Sequence, residues 1–185
     1  MKALIITGRH ATDAEFIYPY YRLQEEGYEV DVAIPGKETV LGEKGWKIVP
    51  THDTSDVLTS YYDILILPGG AKAMEYLRQN QDILTFINFF AVYGKKNGVI
   101  GSICHGTQLL ISAGLVKGRM ISGYYSIKDD INNAGGTYLD LPYVVSDRIV
   151  TSPHYKHLGP WMRAVLNEVK HRVPRGVGEG DVGVE

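Results

Sequence analysis

The stretch Gly98-Val99-Ile100-Gly101-Ser102-Ile103-Cys104-His105-Gly106-Thr107-Gln108-Leu109-Leu110-Ile111 joins two patterns that meet at one sulfur atom. The first half is a short apolar run opened by glycine, which suits a buried strand. The second half, from His105 to Ala113, places apolar residues at helical spacing and stops at Gly114, a natural C-terminal cap. A residue pinched between strand and helix sits on a sharp turn, its side chain presented at the strand's carboxyl end. The helix after such a turn directs its free N–H groups and positive dipole end back at it. A thiol held there is expected to ionise readily, its pKa falling from about 8.5 into a range of roughly 3.5–7.5. Cys104, the single cysteine of the chain, therefore reads as a nucleophile. The competing reading is that of a small buried hydrophobe.

Length and composition narrow the field. A chain of 185 residues, 44% of them hydrophobic, can bury one compact core. A formal net charge of -2 without a Lys/Arg-rich run argues against nucleic-acid binding. No apolar run is long enough to span a bilayer, and the opening Met1-Lys2-Ala3-Leu4-Ile5-Ile6-Thr7 lacks the layout of a cleavable signal. A lone cysteine cannot form an internal disulfide, so a cytoplasmic location is expected. The Gly- and Val-rich stretch 173–185 reads as an extension to a domain spanning 1–172, docked on its own subunit or on a neighbour.

Working outward from Cys104, the flanking segments alternate. Lys2 to Thr7 and Tyr28 to Ile34 read as strands separated by a helix that ends at Gly27. Thr12 and Glu15 have the spacing of a capping box at that helix's start, and Pro19 inside it should kink it. Thr39 to Pro50 suggests a short hairpin or excursion around Gly42 and Gly45. Asp63 to Leu67 is a core strand that ends at Pro68-Gly69-Gly70. Two glycines there expose backbone N–H groups where open α/β sheets bind ligands. Helices are expected over Ala73–Arg78, Ile83–Tyr93, Ile127–Asn133 and from about His157 or Leu158 to Arg172. A strand is expected near Met120, and a late hairpin should turn at Asp147-Arg148. The alternation predicts an α/β, flavodoxin-like three-layer sandwich with a mostly parallel central sheet and a nucleophile elbow.

These residues resemble the ThiJ/PfpI superfamily, and within it the PfpI-type archaeal intracellular cysteine proteases. The resemblance rests on Asp13-Ala14-Glu15-Phe16-Ile17-Tyr18-Pro19-Tyr20, Leu67-Pro68-Gly69-Gly70, Ser102-Ile103-Cys104-His105-Gly106, Ile127-Lys128-Asp129-Asp130 with Asn133-Ala134-Gly135, and Trp161-Met162-Arg163. It implies Cys104 as nucleophile, His105 beside it and the Glu15 carboxyl approaching the sulfur. The backbone N–H groups of Gly70 and His105 would form the oxyanion hole, and Tyr124 would line the cleft with Gly69. It further implies a homo-oligomer, from dimer to hexamer, in which Glu75 reaches His105 of a neighbouring copy. One departure stands out. An acidic Asn-Glu-Phe-Glu run common in the family is replaced by Arg9-His10-Ala11-Thr12, which lowers the acidity expected of the cleft.

Acyl transfer needs a nucleophile, a proton carrier and donors for an oxyanion, and Cys104, His105 and the paired glycines supply those types. Glu15 has two readings by spacing, capping-box partner or site carboxyl. A carboxylate beside a thiolate is repulsive, so burial should make the pair share a proton. His10 could line the cleft or sit on the surface. His154 and His157, three apart, lack a third ligand, so a structural or surface role is expected and no metal or cofactor is implied. Asp129 and Asp130 read as helix-capping residues. The leading expectation is a cysteine hydrolase of the PfpI peptidase type acting on a peptide or small molecule. The alternatives are glyoxalase- or deglycase-type chemistry on α-oxoaldehydes or their protein adducts, and a redox-sensing or chaperone role.

Overall fold

The computed structural model describes residues 1–57, 62–94 and 98–172. The expected docking of the tail falls outside them. A six-stranded sheet forms the centre, built from β1 (Lys2–Ile6), β2 (Glu29–Ala33), β5 (Ile64–Leu67), β6 (Val99–Ile103), β9 (Val144–Ser146) and β10 (Ile149–Ser152), in the order β2-β1-β5-β6-β10-β9. All neighbours are parallel except β9 and β10, the late hairpin that turns at Asp147. Every residue of β5 and β6 is buried. Strands covered on both faces carry unbroken apolar runs, which is why they are visible in the sequence.

Helix α1 (Asp13–Glu25) crosses from β1 to β2. Helices α2 (Ala71–Leu77) and α3 (Gln81–Tyr93) cross from β5 to β6 in the opposite direction along the sheet. Right-handed crossovers running opposite ways place their helices on opposite faces. α6 (Leu158–Arg172) packs on β6 and β10 beside α1, while α4 (Thr107–Ser112) packs with α2 and α3. The three-layer sandwich follows. Trp161 of α6 is fully buried and its indole N–H donates to the Val150 carbonyl at 3.1 Å, fixing the helix over β10.

Smaller elements trim the ends. β3 (Val40–Leu41) and β4 (Lys47–Ile48) form the expected antiparallel hairpin. The strand expected near Met120 exists as β7 (Met120–Ile121), but it pairs in parallel with β8 (Thr137–Tyr138) outside the main sheet. The helix α5 (Lys128–Asn133) starts from Ile127, so Asp129 and Asp130 lie within its first turn rather than at its cap. α1 runs through Pro19 without ending there.

Candidate functional site

The strand β6 delivers Cys104 into a single 3-10 turn, Cys104–Gly106, before α4 begins at Thr107. The expected helix start at His105 is thus displaced by two residues. Cys104 has φ of 59°, a left-handed conformation that costs a non-glycine residue on the order of 1 kcal/mol or more and marks a sharp elbow. Thr107 steadies the turn from below, its hydroxyl donating to the Ser122 carbonyl at 3.2 Å and meeting the Ser102 hydroxyl at 3.3 Å. The Tyr124 N–H donates to the Cys104 carbonyl at 3.2 Å, which ties the cleft wall to the elbow.

Glu15 is fully buried, and its role differs from the capping box that its spacing allows. Thr12 is the N-cap of α1 but its side chain makes no cap hydrogen bond. The Glu15 Oε2 instead accepts the N–H of Gly69 at 2.8 Å, across 54 residues of sequence. Its Oε1 is buried without a hydrogen-bond partner. A buried, half-satisfied carboxylate is costly, so the neutral form wins. Burial, against the opposing Gly69 N–H and the Cys104 contact, pushes the Glu15 carboxyl up to about 8.

Gly69 must lack a side chain. A Cβ there would lie 2.5 Å from Glu15 Oε2, 2.8 Å from the Cys104 Cβ and 3.0 Å from the His105 nitrogen. Gly70, with φ of 118°, would meet the His10 carbonyl oxygen at 2.7 Å. The glycine pair lets the β5 loop press against the elbow, and the backbone N–H groups of Gly70 and His105 both address the Cys104 sulfur. A donor pair at the same point is what an oxyanion would require.

The thiol itself corrects one expectation. Cys104 is only 6% exposed, and burial, followed by the Glu15 charge, pushes its pKa up rather than down. The two backbone donors pull the other way but are outweighed. α4 is six residues long and begins three residues past the sulfur, so its dipole is weak there, while the loss of water acts at full strength. The resting pair of Cys104 and Glu15 therefore keeps its protons near neutrality, and as pH rises the carboxyl ionises before the thiol.

The His105 Nδ1 lies 3.5 Å from the Cys104 sulfur and its Nε2 lies 3.4 Å from the Ser126 hydroxyl. Burial lowers the His105 pKa, which keeps the ring neutral at pH 7 with one donor and one acceptor nitrogen. Its ring stacks on Tyr124 at 4.6 Å. The sulfur opens into a cleft of about 490 Å³ whose walls include Glu15, His10, Lys72, Tyr124 and His154. His10, with φ of 66°, is thereby placed in the cleft rather than on an outer surface. Two other hollows, one of about 490 Å³ near Tyr76 and one of about 680 Å³ along α1, hold neither the thiol nor Glu15.

Glu75 sits exposed on α2, and within the chain its carboxylate has no hydrogen-bond or ion-pair partner among the described residues. The sequence pattern does not mark every residue at the site. Ser126 carried no signal. The spacing of His154 and His157 suggests one helical turn, but His154 follows the carboxyl end of β10, where parallel sheets bind ligands. Among the described residues no three His, Cys, Asp or Glu side chains gather as a metal cluster. None of their helices is long and apolar enough to cross a membrane.

An elbow cysteine paired with a buried glutamate, on a mostly parallel sheet with helices on both faces, defines the class. Residues 1–168 match the model of the DJ-1/PfpI family, and the chain belongs to that family. It is 38% identical over 170 residues to Deglycase PfpI of Pyrococcus furiosus, covering 92% of this chain and all of that one. It is 40% identical over 171 residues to the Putative cysteine protease YraA of Bacillus subtilis, covering 91% of this chain and 97% of that protein. A two-domain protein of Anabaena variabilis, with DJ-1/ThiJ/PfpI-like and ferritin-like domains, superposes with a TM-score of 0.86 at 30% identity. That match covers 91% of this chain and 48% of the larger one.

Proposed function

We propose that the protein is a cysteine-dependent enzyme that takes α-oxoaldehydes and their amine adducts to 2-hydroxy acids, a deglycase-type activity. The observation that carries this reading is the depth of the sulfur. A thiol 6% exposed, at the foot of a cleft of about 490 Å³, admits a terminal aldehyde carbon more readily than a peptide bond flanked by bulky chain on both sides. The name of the Pyrococcus furiosus relative points the same way.

The chemistry balances with water alone. Cys104 Sγ adds to the aldehyde carbon, and its proton ends on the oxygen. With an amine adduct, the S–C bond forms as the C–N bond breaks, and the amine leaves with a proton. The proton on that carbon is then carried to the neighbouring carbonyl carbon through an enediol, and the hydroxyl proton passes to the former carbonyl oxygen, which leaves a thioester of the 2-hydroxy acid. Water hydrolyses the thioester and restores the thiol. Glu15 and the His105 Nδ1 are the groups beside the sulfur able to carry these protons. The N–H groups of Gly70 and His105 would hold the oxygen where charge develops. In an oligomer, the unpaired Glu75 of one copy would approach His105 of the next and fix its tautomer.

A peptidase reading has support in the name of the Bacillus subtilis relative. The two separate by assay of the wild type and Cys104→Ala on methylglyoxal, on a peptide carrying its adduct, and on an unfolded peptide. The proposal expects turnover of the first two, abolished by the substitution. Cleavage of the unfolded peptide alone, or activity that survives in Cys104→Ala, would overturn it.

A further inference from the structure

The wall of the cleft beyond Tyr124 takes no part in the steps at the sulfur, yet it ends in an unused donor. His154 Nδ1 accepts the Lys156 N–H at 3.2 Å. In a neutral imidazole the other nitrogen must then carry the proton, so Nε2 is an N–H donor. No acceptor meets it among the described residues. Burial and the charges of Lys156 and His157 lower the His154 pKa, which maintains that tautomer at neutral pH.

The ring is also held in place. His154 stacks on Tyr124 at 5.9 Å and lies 4.0 Å from the Tyr155 ring, with Tyr125 at 6.2 Å. Tyr155 is 52% exposed and Tyr125 40%, so a shelf of aromatic rings, Tyr155 tilted 46° to His154, runs from the cleft out to solvent. A neutral donor on such a shelf suits a polar, uncharged acceptor with apolar flanks. A peptide backbone carbonyl has that chemistry.

Position decides which part of a substrate arrives there. His154 is reached from His105 through Tyr124, first 4.6 Å and then 5.9 Å between ring centres. A three-carbon aldehyde held on the sulfur extends no more than about 3.8 Å, the spacing of adjacent Cα atoms. Its few atoms fill a small part of the cleft of about 490 Å³ that the sulfur shares with His154 and Tyr155, and the rest is left for the amine-bearing body of an adduct.

We propose that His154 and Tyr155 form a second subsite that holds the polypeptide carrying the adduct, with the His154 Nε2–H donating to one of its backbone carbonyl oxygens. This rests on the deglycase-type reading above and names the larger substrate that reading implies. The subsite would make a glycated peptide a better substrate than the free aldehyde.

The test uses two stable probes in the Cys104→Ala protein, followed by calorimetric titration. One is a short peptide whose central lysine bears a lactoyl amide, and the other is N-lactoyl-lysine alone. Adding His154→Phe, which keeps the ring and removes the donor, should weaken the peptide about three- to tenfold, the worth of one neutral hydrogen bond. The single amino acid should weaken less. His154→Gln, which retains an N–H donor, should recover most of the peptide's affinity. Equal losses for both probes, no loss for either, or no recovery with Gln would overturn the subsite. So would a crystal structure in which a second copy of the chain covers His154 and Tyr155. With an active Cys104, His154→Phe should reduce kcat/KM on the adduct peptide more than on methylglyoxal. Should the wild type turn over neither substrate, the deglycase-type reading falls while the titrations still decide the subsite.

Discussion

Glu15→Gln is the most searching single change in this protein. The substitution keeps an acceptor for the Gly69 N–H, 2.8 Å away, and places an N–H₂ where a protonated carboxyl would present its hydrogen. It removes the ionisable group. The carboxyl's pKa rises from an ordinary 4.5 to about 8 on folding, chiefly through burial. Below about pH 4.5 folded and unfolded chains both hold the proton and the shift costs nothing. As pH rises to 8 the unfolded chain ionises first, so wild-type stability falls across that window. Above it the full penalty remains, on the order of 4–5 kcal/mol at 1.36 kcal/mol per unit. The Gln variant has no such loss. Urea unfolding of both proteins at about pH 5 and about pH 9 should therefore show the variant gaining several kcal/mol on the wild type between the two. Removing the Glu15 charge should also shift alkylation of Cys104 to lower pH, because that charge helps hold the thiol's pKa up. Turnover should nonetheless fall by about 10²-fold or more, since Gln carries no transferable proton. A stability difference that does not change with pH would show that Glu15 is ionised in the folded protein, and the reasoning about the sulfur would fail with it.

Two further outcomes follow from the same geometry. Gly69→Ala puts a methyl 2.5 Å from Glu15 Oε2 and 2.8 Å from the Cys104 Cβ, so the chain should lose about 1–3 kcal/mol in urea unfolding and almost all turnover. Glu75→Gln leaves the single chain's internal bonds intact. It should lower kcat and alter the pH–rate profile governed by His105, while circular dichroism stays that of the wild type.

Much of the sheet could be read from the sequence because β1, β5 and β6 are covered on both faces and carry runs such as Ile64-Leu65-Ile66-Leu67. Such runs bounded by glycine and proline leave little choice but a parallel strand. The elbow was legible for the same reason, since Cys104 lies between the last buried strand residue and the first helical spacing. Glu15 was not decided by its neighbours. A capping box and a carboxyl reaching a loop 54 residues away share one local pattern, and only the packing of the β5 loop chooses between them. The sign of the Cys104 shift was hidden likewise, because the helix that would acidify it is visible in sequence and the burial that opposes it is not. β7 and β8, two residues each, are too short for an alternating pattern to emerge.

The first turn of α1 reaches both sides of the site. Asp13 accepts the N–H groups of Lys44 and Trp46 at 2.7 and 2.8 Å, gripping the tip of the β3–β4 hairpin, while Glu15 two residues on grips the Gly69 loop. That turn behaves as a rivet through two plates. Anyone transplanting a relative's hairpin to reshape what the enzyme accepts must carry this turn with it, or the pocket's two banks will part company at the point where the sulfur lies.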